Sequence, residues 1–490
     1  MWKKGLVLLL AGMISFSVPA MSVYATENTA QTAGTEGLTE EEKAIKTQEE
    51  VWQKIYDTAP ETDAIQGWPE GPKIWAEGAI LMEMNSGAIL YEKSSEQKFY
   101  PASITKLLTA LVALENAKLT DVVTASDSSY DGMDGTYASL GLKSGEQMSM
   151  EDALYGLLFA SANEVGHAIA ESATEGGYDD FISKMNEKVT ELGGINSNFV
   201  NTNGIHDENH YTCAYDMALI GSAVYQMEEF RQIESNLIHD IPATNLSEAR
   251  IGITQHDKMM LPENSHYYEY IKAGKTGYTD AAKSTLVSMA DNGTLQLVCV
   301  DLANGKALIY DDTQAMCEYG FNNFKKLSLK ESETSDKIDS FADEAAYVVV
   351  PNEVTFEDLD SKIEMKEEGE KRAATISYTY QNQLVGKADI MVSKSYYKEV
   401  VGEQELELGS VEEQETSHFS IWKVLLIIIA LLLVLVVVFF IWARARRKRI
   451  ARERRRRAMQ RRRMQQGQGR PQNQRRDERG TRGTNRRIRE

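Results

Sequence analysis

Pro101-Ala102-Ser103-Ile104-Thr105-Lys106 runs without a break into Leu107-Leu108-Thr109-Ala110-Leu111-Val112-Ala113-Leu114, and the reading of this stretch decides the rest of the chain. On a helix, residues three apart stand one turn above each other, so the Lys106 amine lies beside the Ser103 hydroxyl. There it can take the proton as the hydroxyl attacks a carbonyl. The nearly continuous apolar run that follows predicts a helix buried in the core. Burial lowers the basicity of a lysine, which allows a neutral amine near neutral pH. The spacing alone is weak, because Ser95…Lys98 and Ser395…Lys398 share it. Neither of those opens a long apolar helix, and a solvated chance pairing accounts for each.

Two further segments follow in order. A helical stripe of Ala153, Leu154, Leu157 and Leu158, with Ser149 as N-cap and Asp152 three residues on, delivers Ser161-Ala162-Asn163. Later, Lys275-Thr276-Gly277 leaves a strand pattern at 267–273 and precedes a hairpin. Taken singly these are a helix terminator and a turn. Lys143-Ser144-Gly145 also fits the third pattern, but it comes before the second and is no substitute. The ordered trio Ser-x-x-Lys, Ser-x-Asn, Lys-Thr-Gly is the one seen, with Ser-Asp-Asn in the middle, in penicillin-binding proteins and class A β-lactamases.

Around these segments the chain reads as strands 79–84 and 89–92 about the turn Asn85-Ser86-Gly87. Helices follow from 150, at 164–173, at 179–192 ending on Gly193-Gly194, and at 215–225. Strands return at 284–289 and 295–302 about Asp291-Asn292-Gly293, and a helix at 311–324 closes the unit. Strands at both ends with helices between them predict an α+β fold in which one antiparallel sheet joins the ends.

Composition divides the chain. The net charge of −20 over 490 residues combines +17 in 443–490 with −37 in the rest. Lys3 and Lys4, the apolar run Gly5–Phe16 and Val23-Tyr24-Ala25 predict a signal peptide over 1–25, cleaved after Ala25. Residues 26–72 read as a flexible acidic lead-in that carries a helix pattern from Leu38 to Asp57, opening Thr39-Glu40-Glu41-Glu42. Val424–Trp442 carries no charge and is long enough to span a bilayer, with Trp422 and Trp442 at its ends. Arg444, Arg446, Arg447, Lys448 and Arg449 follow, which puts the tail in the cytoplasm and the bulk of the chain outside. The expected organisation is then a catalytic domain at 73–326 and a small β-rich domain at 327–402. A juxtamembrane tether at 403–420, a transmembrane helix at 421–442 and a basic, disordered tail at 443–490 complete it. Three cysteines (Cys213, Cys299, Cys317) allow at most one internal bridge and read as buried thiols. No spacing suggests a zinc site.

Over about 70–325 the chain resembles the low-molecular-weight penicillin-binding proteins of the D-alanyl-D-alanine carboxypeptidase family, serine peptidases of the S11 type. The likeness includes Leu142-Lys143-Ser144-Gly145-Glu146, the stretch His210–Ala218 and Gly277-Tyr278-Thr279. It implies the transpeptidase fold, an antiparallel sheet with a helical subdomain, and a trailing β-domain. It implies that Ser103 attacks the carbonyl between two terminal D-alanines of a peptidoglycan stem pentapeptide and forms an acyl-enzyme. Lys106 would be the base, Ser161 the proton relay to the leaving amine, and Asn163 a holder of the substrate amide and of Lys106. Lys275 and Thr276 would bind the terminal carboxylate, Gly277 would line the substrate site, and the backbone N–H groups of Ser103 and Tyr278 would form the oxyanion hole. The implied covalent inhibitors are β-lactams, and no metal or cofactor is implied. Membrane lipid is the expected partner of the span and basic tail, and no nucleic acid is expected. Departures are Glu164 where Asp is common, Asn203-Gly204-Ile205 for His-Gly-Leu, Ala281-Ala282-Lys283 for Ala-Gly, and His256-Asp257 for an Asn-type segment. Two other readings stay open: a penicillin or wall-fragment sensor acylated without turnover, and a β-lactamase. Against the second, Glu187 and Glu191 follow the Ser161 motif but no Glu-x-x-Leu-Asn occurs.

Overall fold

The computed structural model describes residues 40–366 and 372–400. The expected signal peptide, tether, apolar run Val424–Trp442 and basic tail lie outside the described residues. Among those described, no helix is long and apolar enough to cross a membrane.

Five antiparallel strands form the central sheet, in the order Ile89–Lys93, Gly78–Glu83, Gln296–Asn304, Lys283–Asp291, Ile271–Thr279. The first and last parts of the catalytic sequence thus meet in one sheet, as the α+β reading requires. Its inner strands are buried on both faces, so they read as apolar runs rather than alternating ones. Helix Ala214–Gln226 covers one face against Val287, Met289 and Val298, while helix Ile309–Asn323 covers the other against Leu81 and Leu297. Helix Thr105–Asn116 packs under the first of these, among helices Met150–Leu158, Asn163–Ala173 and Gly177–Glu191. Its residues 105 to 113 are all buried, which fixes its axis. Ser149 caps the 150–158 helix through a 3.1 Å bond from Asp152 N–H, as its sequence predicts.

Strand Ile271–Thr279 is an edge strand, and the residues just before helix 105–116 lie alongside it. Lys275-Thr276-Gly277 sits inside this strand rather than beyond it. The apolar pattern at 267–273 marks only its start, because Lys275 is itself buried.

Within the lead-in, the helix expected over 38–57 spans Glu40–Asp57, and the segment packs against the catalytic body. Helix Glu40–Asp57 puts the Trp52 ring against Gly305, and Lys93 Nζ donates to Ile55 O at 2.7 Å. Trp68 is buried and donates from Nε1 to Leu90 O at 2.9 Å. Tyr56 stacks on Trp75 with ring centroids 4.4 Å apart, so three aromatics (Trp52, Tyr56 and Trp68) outweigh the polarity of their neighbours.

After residue 323, Phe324–Ser328 pairs with Tyr347–Pro351. A four-stranded antiparallel sheet follows in the order Ile338–Phe341, Gln383–Val392, Ala373–Tyr380, Asp360–Met365. Tyr347 Oη donates to the buried Glu83 carboxylate at 2.7 Å, and Gln383 Nε2 reaches Glu92 at 3.1 Å. All three cysteines are buried and unpaired.

Candidate active site

Ser103 lies in a single 3-10 turn, Ala102–Ile104, that leads straight into helix 105–116. Ala102 has φ +51°, a backbone region that disfavours any residue with a side chain. Several contacts hold this strained turn. Thr105 Oγ1 donates to Ala102 O at 2.9 Å, and Thr285 Oγ1 donates to Pro101 O at 2.8 Å. His210 accepts Val200 N–H on Nδ1 at 3.1 Å, so its Nε2–H faces Thr105 Oγ1 at 2.8 Å. Burial holds His210 neutral, its pKa lowered to about 3. Gly204, at φ +86°, presses on the turn from the other side. A Cβ there would stand 1.8 Å from Ala102 O, so no larger residue fits. At Gly277 a Cβ would lie 2.8 Å from Ser103 N, which brings the edge strand's backbone against the nucleophile's amide.

Lys106 is fully buried, and burial is the main reason its pKa falls well below the ordinary lysine value; the nearby Lys275 lowers it further and Glu164 opposes both. Its Nζ stands 3.0 Å from Ser103 Oγ, 2.8 Å from Asn163 Oδ1 and 2.6 Å from Asn203 O. An uncharged amine has two hydrogens and one lone pair. With the hydrogens on the two acceptors of residues 163 and 203, the lone pair is left for the Ser103 O–H.

Ser161 joins helices 150–158 and 163–173 at φ +54° and is 9% exposed. Ala162 N–H donates to Gly156 O at 3.1 Å and fixes this turn. Asn163 opens the next helix. Its backbone N–H and its Nδ2 both donate to Ala138 O at 3.0 Å, which leaves Oδ1 for Lys106.

Lys275 is 2% exposed, and its Nζ donates to Thr276 O at 3.0 Å. Burial lowers its pKa to about 8 against the pull of Glu234 and Asp257. Both acids are buried behind the strand, and burial raises them to about 8 and about 6. Glu234 accepts from Gln255 Nε2 at 2.9 Å, and Asp257 accepts from Met259 N–H at 2.9 Å. Tyr278, one residue further along the same strand, has a side chain 65% exposed.

Ser103, Lys106, Asn163 and Gly277 are therefore brought together, with Lys275 and Thr276 next along the strand and Ser161 two residues before Asn163. Sequence reasoning missed Asn203, whose contribution is a main-chain carbonyl and leaves no side-chain signal. It also missed the neutral His210 and the carboxylates behind Lys275. Among the described residues, no group of three or more His, Cys, Asp or Glu could hold a metal ion.

An α+β body with a serine, a buried lysine and an asparagine amide meeting beside an edge strand defines a serine-nucleophile site on a penicillin-binding protein fold. Residues 66–305 match the family model of Peptidase S11, described as D-alanyl-D-alanine carboxypeptidase. The chain is 31% identical over 230 residues to the Bacillus subtilis D-alanyl-D-alanine carboxypeptidase DacF, covering 46% of this chain and 56% of that one. It is 28% identical over 288 residues to the Escherichia coli DacC, covering 55% and 67%. Penicillin-binding protein 5 of Haemophilus influenzae has the same fold, with a TM-score of 0.51 at 23% identity over 66% of this chain and 98% of that one. The chain thus spans between about half and two thirds of the length of these two curated relatives.

Proposed function

We propose that the chain is a serine-type D-alanyl-D-alanine carboxypeptidase that trims the terminal D-alanine from peptidoglycan stem pentapeptides and is acylated by penicillins. The observation that carries this is the Lys106 amine, buried, held by Asn163 and Asn203, and 3.0 Å from Ser103 Oγ. The family match over 66–305 supports it.

In the reaction, neutral Lys106 accepts the Ser103 proton as Oγ bonds to the carbonyl carbon of the penultimate D-alanine. The negative charge on the carbonyl oxygen develops next to Ser103 N and the strand at Gly277–Tyr278, where backbone N–H groups stabilise it. As the C–N bond breaks, the amine of the departing D-alanine receives a proton through Ser161. Lys275 and Thr276 hold the free carboxylate of that residue, which selects a chain end over an internal peptide bond. Water then attacks the ester, loses a proton to Lys106, and frees Ser103.

The sequence supports an exported, single-pass arrangement: the signal over 1–25, the uncharged run Val424–Trp442, and arginines directly after it. The catalytic part then works outside the cell, with the basic tail against anionic lipid on the inner side. The β-strands after residue 326 supply a spacer between the catalytic body and the tether. No observation favours a turnover-free sensor or a β-lactamase. The test is release of D-alanine from a pentapeptide ending in D-Ala-D-Ala by the purified chain. Penicillin labelling without D-alanine release would replace this reading with the sensor.

A further inference from the structure

Asn163 can hold Lys106 only if its amide keeps one sense, with Nδ2 turned away and Oδ1 turned in. That sense is set by a single atom, Ala138 O, which accepts both Asn163 N–H and Nδ2 at 3.0 Å. Ala138 belongs to no helix or strand; residues 131–146 are turns and bends with Gly132, Gly141 and Gly145 at positive φ. Something else must hold the loop in place, and the structure shows what it is. Glu164, fully buried at the start of helix 163–173, accepts on Oε1 from Ser139 Oγ at 2.8 Å, Leu140 N–H at 2.6 Å and Gly141 N–H at 3.0 Å. Its other oxygen has no hydrogen-bond partner among the described residues. Leu140 O in turn accepts from Arg250 Nε at 3.1 Å.

We propose that Glu164 is a positioning residue: it clamps loop 139–141 so that Ala138 O fixes the Asn163 amide, and through it the Lys106 amine, toward Ser103. The same helix start carries both the clamp and the amide, so the loop and Lys106 are registered against one rigid element. An aspartate, one methylene shorter, could not reach the same three donors without moving the helix start. A glutamine could, because its carbonyl oxygen replaces Oε1 and its amide nitrogen falls where the unpartnered oxygen stands.

The inference rests on the acyl-transfer reading above and is tested separately from it. Penicillin labelling of the unaltered chain decides that reading; rates of labelling in variants decide this one. Glu164→Ala is expected to slow acylation about 10- to 100-fold, the usual range for losing an outer partner that orients a functional side chain. Glu164→Asp should lie between it and the parent, and Glu164→Gln should recover most of the loss. The deciding measurement is a cycle with Asn163→Ala. If Glu164 acts through that amide, replacing it in the Asn163→Ala chain slows acylation by less than twofold more. Glu164→Asp serves in the cycle if Glu164→Ala does not fold. Multiplying rate losses in the double variant, or folded Glu164→Ala and Glu164→Asp chains acylating at the parent rate, would overturn the inference.

Discussion

Among the described residues, no carboxylate stands within ion-pair distance of Lys106, and its three oxygen neighbours include a hydroxyl that can donate to the lone pair of a neutral amine. Burial holds its pKa well below the ordinary lysine value, while Lys275 loses its proton near pH 8. The two lysines are needed in opposite states, one neutral and one charged. Turnover should therefore rise out of acid as Lys106 is deprotonated and fall above about pH 8 as Lys275 discharges. The alkaline fall should appear in KM, since it is carboxylate binding that is lost. Lys275→Ala is expected to raise KM by roughly 10- to 100-fold with a smaller change in kcat, from losing about 1.5–3 kcal/mol of charge-assisted contact. A KM that stays level from pH 7 to 10 would contradict the role given to Lys275. Ser103, Lys106 and Asn163 were legible because chemistry and helical spacing fall on side chains. The acceptor at Asn203 was not, because a carbonyl is common to every residue. Glu164 was visible only as a departure from a usual aspartate.

At the scale of elements, the nucleophile turn is squeezed between a glycine loop and a glycine in the edge strand. Gly204→Ala would place a methyl group 1.8 Å from Ala102 O, on a backbone at φ +86°. A stability loss of about 2–4 kcal/mol is expected, measured by denaturant unfolding, together with slower acylation. The edge strand carries its own pH dependence. Glu234, at about 8, is protonated in the folded chain across a range where the unfolded chain is ionised. Its contribution is thus present at low pH and lost as pH rises from about 4.5 to 8. Thermal midpoints should decline across that interval, and Glu234→Gln should flatten the decline; a variant with the parent's slope would remove Glu234 from the account. Helix and strand identities followed from periodicity, including the Ser149 cap. The third motif was read as leaving a strand because a lysine is an unusual buried strand residue, and only the sheet behind it shows how it is accommodated.

For the whole molecule, the joining of both ends of the catalytic sequence in one sheet was legible from the order of strand and helix patterns. The docking of residues 40–72 was not, because composition averages over many exposed acids and gives little weight to three aromatics. Trp52 is 6% exposed and faces Gly305. Trp52→Ala should cost about 3–5 kcal/mol and lower the unfolding midpoint without changing the penicillin-labelled residue. An unchanged midpoint would mean that the lead-in adds nothing to the fold. The measurement that bears most directly on the account is the intact mass of the purified chain after exposure to benzylpenicillin, followed by peptide mapping. The predicted result is one penicilloyl adduct on Ser103, absent in Ser103→Ala. An adduct that persists in Ser103→Ala, or a parent chain that gains no mass, would contradict it.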